Sequence, residues 1–134
     1  MMRSRNAIRG IVFGSLMNTE ALTSKSCTPC RGGIPALSAD QVKKYHRDTP
    51  EWTILDEDRR IERTFRFKDF AEAFAFVKSV SELAEAEGHH PQISFGWGYT
   101  TVSLQTKKIK GLHENDFIMA AKLDQLQGLA GGSG

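Results

Sequence analysis

From Asp69 to Glu87 apolar side chains recur at helical spacing, and this segment constrains what the rest of the chain can become. Phe70, Phe74, Val77 and Ala84 fall close to one stripe, with Phe76, Val80 and Leu83 widening it. The stripe reads as core. Asp69 and Glu72 suit the positive N-terminal end of the helix dipole, and Gly88 supplies a stop. A helix with so apolar a face has to be covered by other elements.

Those elements flank it. Trp52–Leu55 and Ile61–Phe67 read as two strands joined by the polar turn Asp56-Glu-Asp58. Ile61, Phe65 and Phe67 share one strand face. Arg63 falls on the same face, so it either lies near an edge or snorkels. After the helix, Ile93, Phe95 and Trp97 alternate with small or polar residues, as do Val102 and Leu104, with a turn at Gly98-Tyr99. Ser38 with Gln41 fits a capping box, and Leu37 with Val42 fits a hydrophobic staple, so a helix is expected over about 39–46. A last helix is expected from about Glu114 to Leu126, with His113 as N-cap and Asp116 near the third position. The order is α-β-β-α-β-β-α. It implies an α+β fold with a four-stranded antiparallel sheet and helices packed on one face. The other face is left for a ligand or a second subunit.

A chain of 134 residues suits one domain, expected here over 27–126, with a flexible tail at 127–134. Eighteen basic residues against 16 acidic ones give a formal net charge of +2. So even a balance argues against direct nucleic-acid binding. No apolar run approaches the roughly 20 residues needed to span a bilayer, so no membrane association is expected. Residues 1–26 are Arg-rich and carry no acid before Glu20. They read as a flexible extension, as an upstream start ahead of Met17, or as an organellar transit segment in an otherwise cytoplasmic protein.

Cys27 and Cys30 have the spacing of a redox pair or half a zinc site. A zinc site needs four ligands, and no second Cys/His pair follows at finger-like spacing. Arg31-Gly-Gly-Ile-Pro35 after them is loop chemistry. The thiols are expected to help place an N-terminal loop.

The most unusual local feature is Glu85-Ala-Glu-Gly-His89-His90-Pro91. Two of the four histidines are adjacent, after a helix stop and before a strand. Pro91 favours an extended His90, so the two imidazoles point in different directions. One can meet a ligand while the other orients it or anchors to backbone. Histidine exchanges protons near neutral pH. Glu85 lies where it can hydrogen-bond a histidine and fix its tautomer. Taken alone, the tripeptide also suits a solvated loop. Adjacent histidines seldom converge on one metal, and no metal is expected.

Glu85-x-x-x-His89-His90-Pro91, then Trp97, then Thr106-x-x-x-x-Gly111-Leu112 and Asp116, resembles the signature of the pterin-4a-carbinolamine dehydratase family. Cys27-Thr-Pro-Cys30-x-Gly-Gly resembles the lead-in of its bacterial-type members. Trp52 and Phe65-x-Phe67-x-x-Phe70 match their hairpin and long helix, and Gly111 to Lys122 matches their last helix. The resemblance covers the expected domain in the right order. It implies a hydro-lyase that removes water from a 4a-hydroxytetrahydropterin to give the quinonoid dihydropterin, in tetrahydrobiopterin recycling. No cofactor is implied, since the pterin is the substrate. A homodimer or homotetramer is implied.

The resemblance also assigns roles. His89 and His90 become the acid–base and pterin-contacting pair, with Glu85 and Pro91 beside them. Trp97 packs near the pocket or is a core strand aromatic. Asp116 orients a neighbour in the site or serves the helix N-terminus. One position departs from the pattern. Most active members carry a third histidine where this chain has Lys107. Lysine is ordinarily a fixed cation at neutral pH and cannot act as a neutral base, although it can hydrogen-bond a substrate oxygen. The run Lys107, Lys108, Lys110 otherwise reads as a solvated strand end, and His113 is a distant candidate to replace the missing imidazole. The alternative function is a non-catalytic relative, since some members of the family act as a dimerisation cofactor or an assembly factor for a partner protein.

Overall fold

A computed structural model describes residues 22–28 and 32–129. The elements are α1 (Ala39–His46), β1 (Thr53–Leu55), β2 (Arg60–Arg66), α2 (Phe70–Glu87), β3 (Gln92–Gly96), β4 (Tyr99–Leu104), a 3-10 turn (Lys107–Ile109) and α3 (Glu114–Leu129). The strands form one antiparallel sheet in the order β1-β2-β4-β3. The expected α+β layout is therefore present. The last helix runs further than Leu126, into the segment expected to be a tail. Leu22, which lies ahead of Cys27, is buried against the same core. Residues 1–21 and Cys30 lie outside the described residues.

Register decides which strand residues face the helices. Ile61 pairs with Leu104, Phe65 with Thr100 and Ile93 with Val102, so all six share one face. All but Ile93 are fully buried, and Ile93 packs against the same core. Buried Thr100 satisfies its hydroxyl on the Ala73 carbonyl of α2 at 3.2 Å. The opposite face carries the polar residues Glu62, Ser103, Thr64, Thr101, Gln92 and Ser94, of which Thr64, Gln92 and Ser94 are exposed and Ser103 is buried.

All three expected helix starts form, at Ala39, Phe70 and Glu114. Ser38 accepts from the Gln41 amide while the Gln41 side chain accepts from the Ser38 amide, a complete capping box. Asp69 caps α2 by accepting from the Glu72 amide at 2.9 Å. The stop is as important for function. Gly88 takes a left-handed φ of 67°, which glycine tolerates best, and the next residue's N–H returns to the Ala84 carbonyl at 3.2 Å. That next residue is His89.

The phenylalanine stripe is only partly core. Ala73, Phe76, Val80 and Ala84 are buried, but Phe70 and Phe74 are 49% and 53% exposed. These two rings rest on Phe95 of β3, at centroid distances of 5.4 and 6.1 Å. Because β3 is the edge strand, no further strand covers this flank of α2. Arg63 is explained by snorkelling, since β2 is an interior strand. Its guanidinium lies 4.4 Å from the Phe65 ring centroid and donates to Asp124 of α3 at 2.5 Å. Trp52 donates to the same carboxylate at 2.8 Å. Burial pushes the Asp124 carboxyl above its ordinary range despite these two donors.

The turn between β1 and β2 is polar, as expected, but Asp56, Glu57 and Asp58 all have positive φ. Arg60 holds it by donating to Asp56 at 2.7 Å. The β3–β4 turn falls at Trp97-Gly98, one residue earlier than expected, with Gly98 at φ 82°. Among the described residues no helix is long and apolar enough to cross a membrane.

Candidate active site

The Gly88 turn delivers His89 and His90 to the end of the sheet where β3 begins and β4 finishes. Their surroundings differ sharply. His89 is buried, and its Nε2 donates to Oδ1 of Asp116 at 2.7 Å. His90 is exposed, and its Nε2 donates to Oε2 of Glu85 at 2.6 Å. A carboxylate can only accept, so each partner places the imidazole proton on Nε2. In the neutral ring Nδ1 then keeps the lone pair, and in the protonated ring Nδ1–H is the proton free to leave. Two imidazoles prepared in this way can serve as a base and an acid.

Asp116 combines the two roles considered for it. It is fully buried at the start of α3. Its Oδ2 accepts from the Thr106 hydroxyl at 2.7 Å and from the His113 amide at 3.0 Å, while Oδ1 holds His89. Three donors, one of them a free N–H at the helix start, offset the cost of burying the carboxylate. The helix start therefore fixes the histidine.

His89, His90, Pro91 and Lys107 line one open cavity of about 470 Å³, together with Gln92, Ser103, Gln105, Thr106 and Lys108. This volume is in the range of small-molecule sites. The cavity gathers most of the expected site residues. Glu85 and Asp116 are outside the lining but hold its two histidines, whereas Trp97 is a correction. It is 72% exposed in the β3–β4 turn, so it is neither in the cavity lining nor in the core. The cavity forms at the Gln92 end of β3, whereas Trp97 follows the Gly96 end of that strand.

Lys107 belongs to a 3-10 turn rather than a strand end. The turn is closed where Thr106 and Gly111 exchange backbone bonds. Gly111 is needed there because a Cβ would sit 2.6 Å from that of Ala36. His113 does not replace the missing imidazole. Its Nδ1 accepts from the Asn115 amide at 3.0 Å, as a helix cap, and it is outside the cavity lining. Sequence reasoning missed Thr106, Gln92, Ser103, Gln105 and Lys108 as site residues. Thr106 stands in the family-like signature, and the others are signalled only by position, just after the histidines or beside the departing strand.

The lead-in segment packs behind the histidine turn. The Cys27 amide donates to Glu87 at 2.8 Å, and Lys122 donates to the other oxygen of Glu87 at 2.6 Å. Asn115 clamps Thr28 through both its amide and its carbonyl. Burial alone would raise the Glu87 carboxyl, but the Lys122 and Cys27 bonds outweigh it and hold it low. Burial, and then Glu87, push the Cys27 thiol up to about 12. In a Cys30→Ser protein, iodoacetamide at pH 8 should modify Cys27 on the order of 10²–10³-fold more slowly than a free cysteine. Reaction at the free-cysteine rate would contradict this packing.

The chain is similar to known proteins over most of its length. A family profile described as "Pterin 4 alpha carbinolamine dehydratase" matches residues 35–126. A protein of Azoarcus sp. (strain BH72), provisionally named as a pterin-4-alpha-carbinolamine dehydratase, is 57% identical over 84% of this chain and 96% of its own. One of Methylococcus capsulatus, named in the same way, is 56% identical over 82% of this chain and 96% of its own. A crystal structure titled transcriptional coactivator/pterin dehydratase, from Brucella melitensis, matches with TM-score 0.64 and 31% identity. That match covers 68% of this chain and 97% of the other. A pterin dehydratase-like protein described as a RuBisCO assembly factor in the α-carboxysome matches with TM-score 0.51 and 29% identity, over 58% of this chain and 90% of the other.

Proposed function

Since this chain belongs to the pterin-4a-carbinolamine dehydratase family, we propose that it removes water from a 4a-hydroxytetrahydropterin by histidine acid–base catalysis. The observation that carries the reading is the pair of carboxylate-held imidazoles, His89 on Asp116 and His90 on Glu85, lining one cavity.

The chemistry balances on those two groups. One neutral imidazole takes the proton from pterin N5. The N5 electron pair forms the new double bond to C4a as the C4a–O bond breaks. The other imidazole, protonated beforehand, gives its proton to the departing hydroxyl, which leaves as water. Proton transfer of this kind contributes roughly 10²–10⁴-fold each time it is used. Lys107 donates to a substrate oxygen and does not act as the base. In this reading the protein recycles tetrahydrobiopterin in the cytoplasm. It works as a homodimer or homotetramer, for which Phe70 and Phe74 beside the edge strand β3 offer an apolar surface.

A second reading is an assembly or dimerisation factor that performs no chemistry. Lys107 at the third-histidine position and the likeness to the carboxysome assembly factor support it. The two readings part on whether the protein speeds decay of a freshly made 4a-hydroxytetrahydropterin. Acceleration favours the enzyme, and its absence favours the partner protein.

A further inference from the structure

The cavity beside the histidines carries positive charge that acid–base work on a neutral ring does not require. Lys107 and Lys108 both line it, and no carboxylate does. The nearby carboxylates, Glu85 and Asp116, are engaged by His90 and His89. Among the described residues neither lysine takes part in an ion pair. The backbone that carries them is pinned by the Thr106–Gly111 bridge, and the Thr106 hydroxyl is tied to Asp116. Gln92 and Ser103 also line a second cavity of about 250 Å³ on the polar sheet face. There the cation is already neutralised, since Arg60 pairs with Glu62 at 2.9 Å and with Asp56 at 2.7 Å. The uncompensated charge therefore sits at the histidine end.

We propose that the cavity selects a reduced pterin whose C6 substituent bears an anionic group, a carboxylate or a phosphate, bound by Lys107 and Lys108. This deepens the pterin reading and rests on it. C6 is bonded to N5, the atom that loses its proton, so a C6 substituent leaves the ring beside the reacting bond. A short acidic substituent thus stays in the cavity that holds both histidines and both lysines. Ammonium groups donate charge-assisted bonds to such oxygens. A neutral hydroxyalkyl substituent gives the two lysines no counter-charge. On this account the lysine that stands for a third histidine sets substrate choice.

The test is fluorescence titration of the folded protein with three stable oxidised pterins: 6-hydroxymethylpterin, its phosphate ester and 6-carboxypterin. At least one anionic pterin should bind roughly tenfold tighter than the neutral one at low salt, as one or two charge-assisted bonds provide. The preference should shrink at high ionic strength and vanish in Lys107→Gln/Lys108→Gln. Which anion gains more identifies carboxylate or phosphate as the group recognised. Equal affinity for all three, or a preference that survives in the double variant, overturns the inference while leaving the pterin reading in place. Binding of none of them removes the pterin reading and the inference with it.

Discussion

Replacing His90 with alanine should slow dehydration roughly 10²–10⁴-fold and leave thermal unfolding unchanged. The side chain is exposed, and Glu85, to which it is hydrogen-bonded, is exposed as well. Loss of the imidazole therefore leaves no buried group unpaired. His89→Ala should cause a similar fall in rate with a different structural cost. It deprives the buried Asp116 of a donor, which costs about 1–3 kcal/mol of stability. Stopped-flow rates and urea melts of the two variants check both statements. Full activity in a folded His90→Ala and a folded His89→Ala would remove both histidines from the mechanism.

Asp116→Asn is the second large effect, and it separates positioning from chemistry. The carboxylate accepts three bonds from His89, Thr106 and the His113 amide. An asparagine of the same shape has one acceptor oxygen and one NH₂ group. If the oxygen stays with Thr106 and His113, the NH₂ faces His89 Nε2, and the imidazole must place its proton on Nδ1 instead. The nitrogen that would exchange protons is then in the wrong state. If the amide flips, two donors meet at the start of α3. We expect a fall in kcat of roughly 10²-fold or more, with KM little changed and a stability loss of about 1–3 kcal/mol. A merely structural role would lower stability alone. Wild-type kcat from Asp116→Asn would show that the His89 tautomer does not matter.

The fold was legible where local chemistry decides it. Ser38 with Gln41, Asp69 with Glu72, and Gly88 each act within one turn, and each performs the expected job. Strand faces followed from alternation, because Ile61 and Phe65 bury the face that period-two patterning assigns them. The failures are those of residues whose environment comes from distant chain. Phe70 and Phe74 lie on the helix stripe but overhang the edge strand, a fact set by strand order and invisible in the stripe itself. Trp97 alternates correctly with Ile93 and Phe95 but stands at the turn, where the sheet ends.

The site was legible in the same uneven way. Glu85 and His90 are close in sequence and meet as expected. The bond between His89 and Asp116 joins the end of α2 to the start of α3, and the motif gave only the residue types. Thr106 reaches Asp116 only because the Thr106–Gly111 bridge folds the 3-10 turn back. Lys107 is legible as a departure and Lys108 as its neighbour in a charge run, but that both line the site without a carboxylate emerges only with the cavity.

These observations weigh on the choice between enzyme and binding partner. A protein freed from catalysis needs Asp116 for the Thr106 hydroxyl and the start of α3, but has no evident use for its third bond, the one that orients His89. It has as little use for a second histidine paired to its own glutamate beside the same cavity. The missing third imidazole is compatible with catalysis by two, because water loss needs one donor and one acceptor. The most direct measurement is stopped-flow decay of a freshly generated 4a-hydroxytetrahydropterin at several protein concentrations. The account predicts a decay rate that rises with protein concentration well above the buffer rate. A rate equal to buffer alone, with protein shown to be folded, would contradict it.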